Sequence, residues 1–424
     1  MPIPATIRVL AVFALILVTI KRLSLGSSFA LGAALLGLFF GMTPADLVLS
    51  MARALVHPKT LALSVVVSLI LILSRSMEAT GRMDRLLEGF KGLVASPFLN
   101  LAIFPALIGL LPMPGGAVFS APMVKNIGHN RGLNQDQLSF LNYWFRHIWE
   151  YWWPLYPGVL LATTLAARNL WSYVWLMLPL TPVAIAAGRF LIRRADITEH
   201  SRQPRQASRP GPAPFVRELA PIAIVIVGGL TAGFLLSPLA AGIAKELGLI
   251  LALVVAIGLV WHTGKLTGAR RLKMAANKKL LGMYFMVSAV LIFQAILQDS
   301  TAVNQISAEL IRWHIPLVPV CIILPMLVGV VSGITIAFVG TTFPVIFALL
   351  GAGGQQEHFN AFLMLAMTSG FAGVLVSPLH LCLLLSNAFF RASHAAVFRL
   401  IVPAAAILLA AALVYFAILY YIGS

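Results

Sequence analysis

Long apolar runs separated by short polar segments give the chain its overall pattern. Six runs precede a polar, basic and proline-containing segment at residues 193–214; they lie at about 5–20, 24–42, 60–80, 98–112, 137–165 and 170–193. Six more follow it, at about 217–237, 246–261, 280–298, 316–331, 360–388 and 399–421. Because about 20 apolar residues form one membrane-spanning helix, this pattern predicts an all-α polytopic membrane protein made of two halves.

The two halves share local sequence features in the same order, displaced by about 220 residues. In each half a proline stands four residues before a glycine, and a glycine-containing turn follows. The matched segments are Phe104–Gly109 with Leu324–Gly329, Pro112–Gly116 with Ser332–Gly333, Trp153–Tyr156 with Ser377–His380, and Ser76–Thr80 with Leu297–Thr301. Ordered matches indicate an internal duplication, and duplicated halves with interrupted spans are typical of secondary transporters.

The glycine-containing turns predict a re-entrant hairpin in each half in place of two full spans. The arms are residues 98–112 and 116–127 in the first half, and 316–331 and 336–350 in the second. An arm of about 14 residues reaches roughly 21 Å, which is past the middle of a hydrocarbon core about 30 Å thick. Each half then has five crossings and a broken span, so the second repeat is inverted relative to the first.

The basic residues favour this topology. Of the 30 Lys and Arg residues it places 23 inside and six outside, with Arg146 in the membrane; twelve full spans would give 17 against 12. The positive-inside rule therefore prefers ten spans, two hairpins and both termini outside. The predicted domains are a first repeat at 1–195 with its hairpin at about 97–128, a basic cytoplasmic linker at 196–215, and a second repeat at 216–424 with its hairpin at about 316–350.

The composition agrees with a membrane protein and argues against other classes. The chain is 60% hydrophobic and 10% charged, whereas about a quarter of the residues in soluble domains are charged. The net charge of +17 comes largely from short loops, so topology explains it and no nucleic-acid partner is expected. Cys321 and Cys382 both lie in apolar runs, which predicts buried packing and no disulfide, metal site or other cofactor.

One apolar run carries charged residues. Arg146, His147 and Glu150 lie within residues 137–165, together with Pro154. Ionisable groups at membrane depth usually mark a substrate or ion path, and a proline there interrupts the helix. In one interpretation Arg146 holds an anion, and Glu150 or His147 carries a coupling proton. In the other, Arg146 and Glu150 form a buried pair that fixes a broken helix. The sequence leaves both open.

The predicted site joins the hairpin tips to the broken spans near the membrane midplane. Half-helix N-termini there favour anions, and unwound carbonyl groups favour cations. The predicted substrate-binding residues are Pro114, Gly115, Gly116, Asn142, Arg146, Trp152, Trp153, Ser332, Gly333, Thr335, Ser377 and His380. The predicted coupling residues are His147, Glu150 and Ser369. Trp144 is expected nearer the membrane interface, where tryptophan is enriched.

Two five-span halves of opposite orientation, each with a hairpin and a broken span, resemble the ion transporter superfamily. The resemblance covers nearly the whole chain and includes PMPGGAVFSAP at residues 112–122, the Ser332-Gly333 tip and SPLH at residues 377–380. It is strongest to an uncharacterised ten-span branch of unknown function, and it implies an anion or sodium/proton carrier that forms a homodimer. The sodium-coupled dicarboxylate carriers of the superfamily have Ser-Asn-Thr at these tips. This chain does not, so the resemblance assigns it neither a sodium site nor a dicarboxylate.

The sequence as a whole predicts a secondary active transporter of a small anionic solute, coupled to protons or sodium by alternating access. It predicts no enzyme, because zinc-ligand spacings, nucleophile motifs and phosphate-binding loops are absent from it. Two alternatives stay open: an ion channel, and an intramembrane hydrolase built on His147, Glu150 and a serine. The expected location is the cytoplasmic (inner) membrane of a bacterium or archaeon, with the lipid bilayer and the solute as partners.

The predicted topology can be tested by thiol labelling. A membrane-impermeant reagent should label Arg205→Cys only after the cytoplasmic side is opened, because the linker is predicted to lie inside. The matched control is Arg53→Cys, which is predicted to lie outside and should react in intact cells. Labelling of Arg205→Cys from outside intact cells would refute the topology.

Overall fold

A computed structural model describes residues 3–19, 22–90, 96–113, 116–129, 132–192, 213–240, 242–276, 278–313 and 316–422. Throughout these ranges the chain is helical and contains no β-strand, as the apolar pattern predicts. Most of the predicted linker lies outside the described residues, as do the tip residues Pro114 and Gly115.

The first half contains eleven helices within the described residues. They are α1 Ala5–Thr19, α2 Leu25–Phe39, α3 Pro44–Val56, α4 Pro58–Ala79, α5 Arg82–Phe90, α6 Pro97–Gly109, α7 Ala117–His129, α8 Gln135–His147, α9 Pro157–Leu165, α10 Leu170–Met177 and α11 Leu180–Leu191. The helices α6 and α7 form the predicted hairpin, and the break between α8 and α9 divides the charged span. The helices α6 and α7 pack against each other; their re-entrant course in the membrane and the domain bounds stay predictions.

The second half repeats this order of elements. Its helices in the described ranges are α12 Ala213–Ala223, α13 Gly229–Leu236, α14 Ala244–Thr263, α15 Gly268–Ala275, α16 Lys278–Asp299, α17 Ala302–Arg312, α18 Leu317–Ser332, α19 Thr335–Ala352, α20 Phe359–Leu375, α21 Leu381–Phe390 and α22 His394–Ile422. Here α18 and α19 form the hairpin, and the break lies between α20 and α21. The opposite orientation of the two halves in the membrane stays a prediction.

Seven helical segments in the described ranges are long and apolar enough to cross a membrane. They are Pro58–Ala79, Leu170–Leu191, Ala213–Leu236, Ala244–Thr263, Gly268–Asp299, Gln356–Leu375 and His394–Ile422. Of the other three predicted spans, two correspond to the shorter helices α1 and α2, and the third to the broken pair α8–α9. The chain is thus a multi-pass membrane protein.

Contacts between helices recur in equivalent pairs across the two halves. In the first half α6 packs on α8, and the equivalent helices α18 and α20 pack together in the second half. Between the halves α7 packs on α21, and the equivalent helices α19 and α9 pack together. The helices α2 and α4 of the first half pack on α16 and α14 of the second. Each broken helix is therefore held between the hairpin of its own half and an element of the other half.

Proline and capping residues explain where the broken helices begin and end. Asn134 and Gln137 form a reciprocal capping box that starts α8. Pro154 disfavours helix before it, and Pro157 is the first residue of α9. In the second half Pro378 has the same effect, because the residue before a proline avoids the helical region. Both interruptions are thus encoded locally.

Glycine allows each hairpin to approach its broken helix. A Cβ on Gly109 of α6 would overlap the backbone carbonyl of Arg146, and a Cβ on Gly329 of α18 would overlap that of Gly370. The two contacts are equivalent, because Gly109 and Gly329 occupy the same position in the duplicated sequence. The duplication therefore extends to a contact between backbones.

This close approach predicts a position-specific loss of stability. Gly109→Ala and Gly329→Ala should each lower the free energy of unfolding by about 1–3 kcal/mol, because the added methyl group meets backbone that cannot rotate away. Thermal unfolding of the purified protein measures the effect. The matched control is Gly258→Ala in α14, where a Cβ meets no atom within 4 Å and alanine favours the helix. Equal stability of the Gly109, Gly329 and Gly258 variants would contradict the packing.

Candidate functional site

The charged residues of the first half lie where α8 ends. Arg146 and His147 occupy the last turn of α8, and Glu150 lies in the turn that follows. The side chain of Arg146 is 2% exposed, that of His147 2% and that of Glu150 12%. Because the helix stops at His147, the helical i, i+4 geometry that would pair Arg146 with Glu150 is lost.

The Arg146 guanidinium is buried with most of its hydrogen-bonding capacity unused. Its Nη2 donates to the backbone oxygen of Met113 at 2.7 Å, while Nε and Nη1 have no hydrogen-bond partner among the described residues. The guanidinium lies against Gly116, where a Cβ would come within 2.5–2.7 Å of its atoms. No ion pair joins Arg146 to Glu150, so the structure does not contain the buried pair that was one of the two interpretations of the sequence.

Glu150 instead joins the first break to the second hairpin tip. Thr335, the first residue of α19, donates its hydroxyl hydrogen to Glu150 Oε1 at 2.6 Å. The other oxygen, Oε2, lies 3.7 Å from His147 Nε2. Gly158 lies directly against the Thr335 side chain, so the start of α9 also packs at this place. The carboxylate thus contacts both halves of the protein. The meeting point of Arg146, His147, Glu150, Thr335 and His380 is called the junction below.

His147 and His380 meet across the two breaks. Their Nε2 atoms are 3.0 Å apart, and His147 Nδ1 lies 2.6 Å from the backbone oxygen of Tyr143. A carbonyl can only accept, so His147 Nδ1 carries its proton and donates it. The buried thiol of Cys382 lies beside them, with the three donor atoms all within 4.8 Å of one another. His147, His380 and Cys382 are the residues here that could hold a metal ion.

Three helix N-termini converge on this junction. Gly116 immediately precedes α7, Thr335 begins α19, and His380 caps the start of α21. Gly116 lies against Arg146, Thr335 bonds to Glu150, and His380 contacts His147. Because the positive end of each helix dipole points there, the junction favours negative charge.

The second hairpin tip makes a close turn against the second break. Gly333 adopts a left-handed conformation (φ +63°) that ends α18, and a Cβ there would crowd Ser377 Oγ and the backbone of His380. Ser377 Oγ donates to the Val330 oxygen at 2.6 Å. In the first half Trp153 Nε1 donates to the Leu110 oxygen at 2.9 Å. These bonds are equivalent, so the duplicated halves fasten hairpin to break in the same way.

Two predicted site residues have their hydrogen bonds satisfied within the protein. Asn142 donates to the Ala117 oxygen at 2.9 Å and to Ser386 Oγ at 3.1 Å, and it accepts from Ser120 at 2.6 Å. Ser332 Oγ donates to the Val328 oxygen of its own helix. The bonds of Asn142 join α8 to α7 and α21, whereas that of Ser332 lies within α18. A role of either side chain in binding a solute stays a prediction.

Four other residues singled out in the sequence are buried or partly buried. Ser369 lies within the continuous helix α20, before the break, and its buried hydroxyl has no partner in the described ranges. Trp144 is 1% exposed and donates to the Ala184 oxygen, so its indole packs inside the protein; its depth in the membrane stays a prediction. Trp152 is buried beside Trp149 and Trp153, and its Nε1 has no hydrogen-bond partner among the residues that the structure describes. Trp153 is bonded to the hairpin as described above.

Basic residues also line a cavity beside α9. The cavity has a volume of about 190 Å³, and Lys59, Arg168, Lys245 and Glu246 line it together with Leu160 and Thr163. The three basic residues are among the six that the topology places outside. A second cavity of about 380 Å³ has a mostly apolar lining from α10, α13 and α14, and the charged residues of the junction do not reach it.

Cys382 and Tyr143 also lie in the junction, although the sequence analysis does not predict them there. Tyr143 donates its hydroxyl hydrogen to the Leu375 oxygen at 3.0 Å and packs against both histidine rings. The spacing His380-x-Cys382 directly after Ser377-Pro-Leu is the signal that could have drawn attention to the cysteine. Its apolar surroundings instead favoured simple packing.

Comparisons with known proteins agree with the fold. A model of the family described as "Protein of unknown function (DUF401)" matches residues 5–420. No curated protein matches the chain. Among solved structures, the YdaH transporter of Alcanivorax borkumensis is similar over 89% of each chain, with 15% sequence identity and a TM-score of 0.60. The chain therefore belongs to the DUF401 family of proteins of unknown function.

Proposed function

We propose that this protein is a secondary active transporter of a small anionic solute, which binds at Arg146. The observation that carries the proposal is the buried guanidinium with Nε and Nη1 unpartnered among the described residues. A buried charge without partners is costly, and a guanidinium presents a planar fork of donors that suits carboxylate, phosphate or sulfate groups. An anionic solute would satisfy both atoms.

The surroundings of Arg146 support an anion. The starts of α7, α19 and α21 meet at the junction and add positive potential. Lys59, Arg168 and Lys245 line the cavity beside α9, where basic side chains would raise the local concentration of anions. A flat hydrophobic ligand would gain little from either feature, although Trp152 and Trp153 offer it an apolar surface.

Charge balance supports coupling to a cation. Arg146 and Glu150 give the junction formal charges of +1 and −1, so the empty site is neutral overall. Adding one anion gives the junction a formal charge of −1, which the partial charges of the three helix N-termini offset only in part. A proton or a sodium ion that enters with the anion and neutralises Glu150 returns the formal charge to zero. We propose this as the reason for coupled uptake.

The architecture supports alternating access. Glu150 and His147 on the first break contact Thr335 and His380 on the second tip and the second break. A movement at one break would therefore alter direct contacts with elements of the other half. The similarity to YdaH is a similarity of fold. Because a protein with this fold is a transporter, transport is the first activity to test for this chain.

Loss of the guanidinium should abolish high-affinity uptake. In proteoliposomes assayed with a panel of phosphate, sulfate, mono- and dicarboxylates, we expect saturable uptake of at least one anion. Arg146→Gln should raise its apparent KM at least about tenfold, because hydrogen bonds to charged groups contribute about 1.5–3 kcal/mol each. Arg312→Gln, a change at an exposed arginine outside the junction, is the matched control. Unchanged uptake by Arg146→Gln would contradict the proposal.

Glu150 should determine how uptake depends on an imposed gradient. With pH or sodium gradients applied to the same proteoliposomes, Glu150→Gln should bind the anion but lose acceleration by the gradient, because the amide needs no neutralising cation. Normal gradient-driven uptake in this variant would refute the role of Glu150. A current that does not saturate and needs no counter-ion in the unmodified protein would instead indicate a channel.

A further inference from the structure

We propose that His147, His380 and Cys382 form a binding site for one transition-metal ion of the zinc class. These residues supply two imidazole nitrogens and one sulfur that converge between the two breaks. The sequence pattern predicts only packing for Cys382, and nothing in the transport proposal requires the thiol. The inference therefore goes beyond the proposed function, and its test does not depend on a transport assay.

The donor atoms are close enough to share one ion. The two Nε2 atoms are 3.0 Å apart, and all three donor atoms lie within 4.8 Å of one another. Around tetrahedral zinc, bonds of about 2.0–2.1 Å to nitrogen and 2.3 Å to sulfur place neighbouring ligand atoms roughly 3.3–3.8 Å apart. The two nitrogens are slightly closer together than this, and both lie within 4.8 Å of the sulfur, so binding an ion would require only small movements of the donor atoms.

The hydrogen bonding of His147 prepares it to be a ligand. Its Nδ1–H donates to the Tyr143 oxygen, so the lone pair of the neutral ring lies on Nε2, the atom that faces His380. In metal sites the histidine ring nitrogen that does not bind the metal commonly donates a hydrogen bond to a carbonyl or carboxylate oxygen. In the absence of an ion, a proton must lie between the two Nε2 atoms, because two lone pairs would repel at this distance.

The burial and the chemistry of the donors indicate the class of metal. His147 is 2% exposed, and His380 and Cys382 are each 7% exposed, so water competes little. His380 Nδ1 has no partner within the described part of the chain. Imidazole and thiolate ligands favour Zn²⁺ and its neighbours over Mg²⁺ or Ca²⁺, which prefer oxygen.

Metal binding would change the charge of the site in a defined way. The thiol of Cys382 loses its proton as the S–metal bond forms, so one divalent ion enters and one proton leaves. This exchange adds one net positive charge beside Arg146 and the helix N-termini, which an anion in the fourth position would offset. Both imidazoles coordinate as neutral rings through Nε2, so the proton held between the two Nε2 atoms moves to His380 Nδ1. The fourth position of a tetrahedral ion would remain for water, for a solute or for Glu150, whose Oε2 is 3.7 Å from His147 Nε2.

Cobalt spectroscopy tests the site directly. Full-length protein in lipid nanodiscs, purified without a histidine tag and stripped with a chelator, is titrated with Co²⁺ and then with Zn²⁺. We expect one equivalent of Co²⁺ to produce a thiolate-to-cobalt charge-transfer band, which Zn²⁺ removes. Cys382→Ser should abolish the band, while Cys321→Ser, which changes the only other cysteine of the sequence, should leave it intact.

A second measurement guards against variants that fail to fold. Zinc retained per chain after gel filtration, measured by elemental mass spectrometry, should be close to one for the unmodified protein and fall at least tenfold in His147→Gln/His380→Gln. Gel-filtration profiles establish that each variant remains monodisperse. Absence of a thiolate band in the unmodified protein would overturn the proposal, as would a band that survives Cys382→Ser or full zinc retention by the histidine variant.

Discussion

The buried charge of Arg146 is the constraint on which the junction depends. Burying a guanidinium at 2% exposure costs free energy unless its N–H groups have hydrogen-bond acceptors. Here the backbone oxygen of Met113 accepts from one of its nitrogens. That bond requires the hairpin tip to lie beside the end of α8. Gly109 and Gly116 permit this approach, because any side chain at these positions would meet Arg146. The glycines of the hairpin and the arginine of the broken helix are thus parts of one arrangement.

The duplicated halves use this arrangement differently. Where the first half has Arg146 facing Gly109, the second has Gly370 facing Gly329, so the backbone contact is kept and the charge is absent. Trp153 and Ser377 make equivalent bonds to the hairpins with different chemistry. The second half provides neutral donors, Thr335 and His380, to groups of the first. A symmetric scaffold therefore surrounds an asymmetric site.

Features encoded by neighbouring residues could be predicted from the sequence. Apolar runs, Pro154, Pro378 and the tip glycines locate the hairpins and breaks, because proline and glycine act on the backbone where they stand. The pairing of charges could not be predicted in this way. Arg146 and Glu150 look like a helical pair only if the helix continues, and Thr335 reaches Glu150 from 185 positions away in sequence. The convergence of Cys382 with two histidines likewise depends on how the two breaks pack against each other.

The most direct test is a cryo-electron microscopy map of the protein with the anion that is best transported in the panel. If Arg146 binds the solute, density for the anion should lie within hydrogen-bonding distance of Nε and Nη1, beside Gly116. Density only elsewhere in the protein, or a direct ion pair between Arg146 and Glu150 in the solute-bound state, would contradict it.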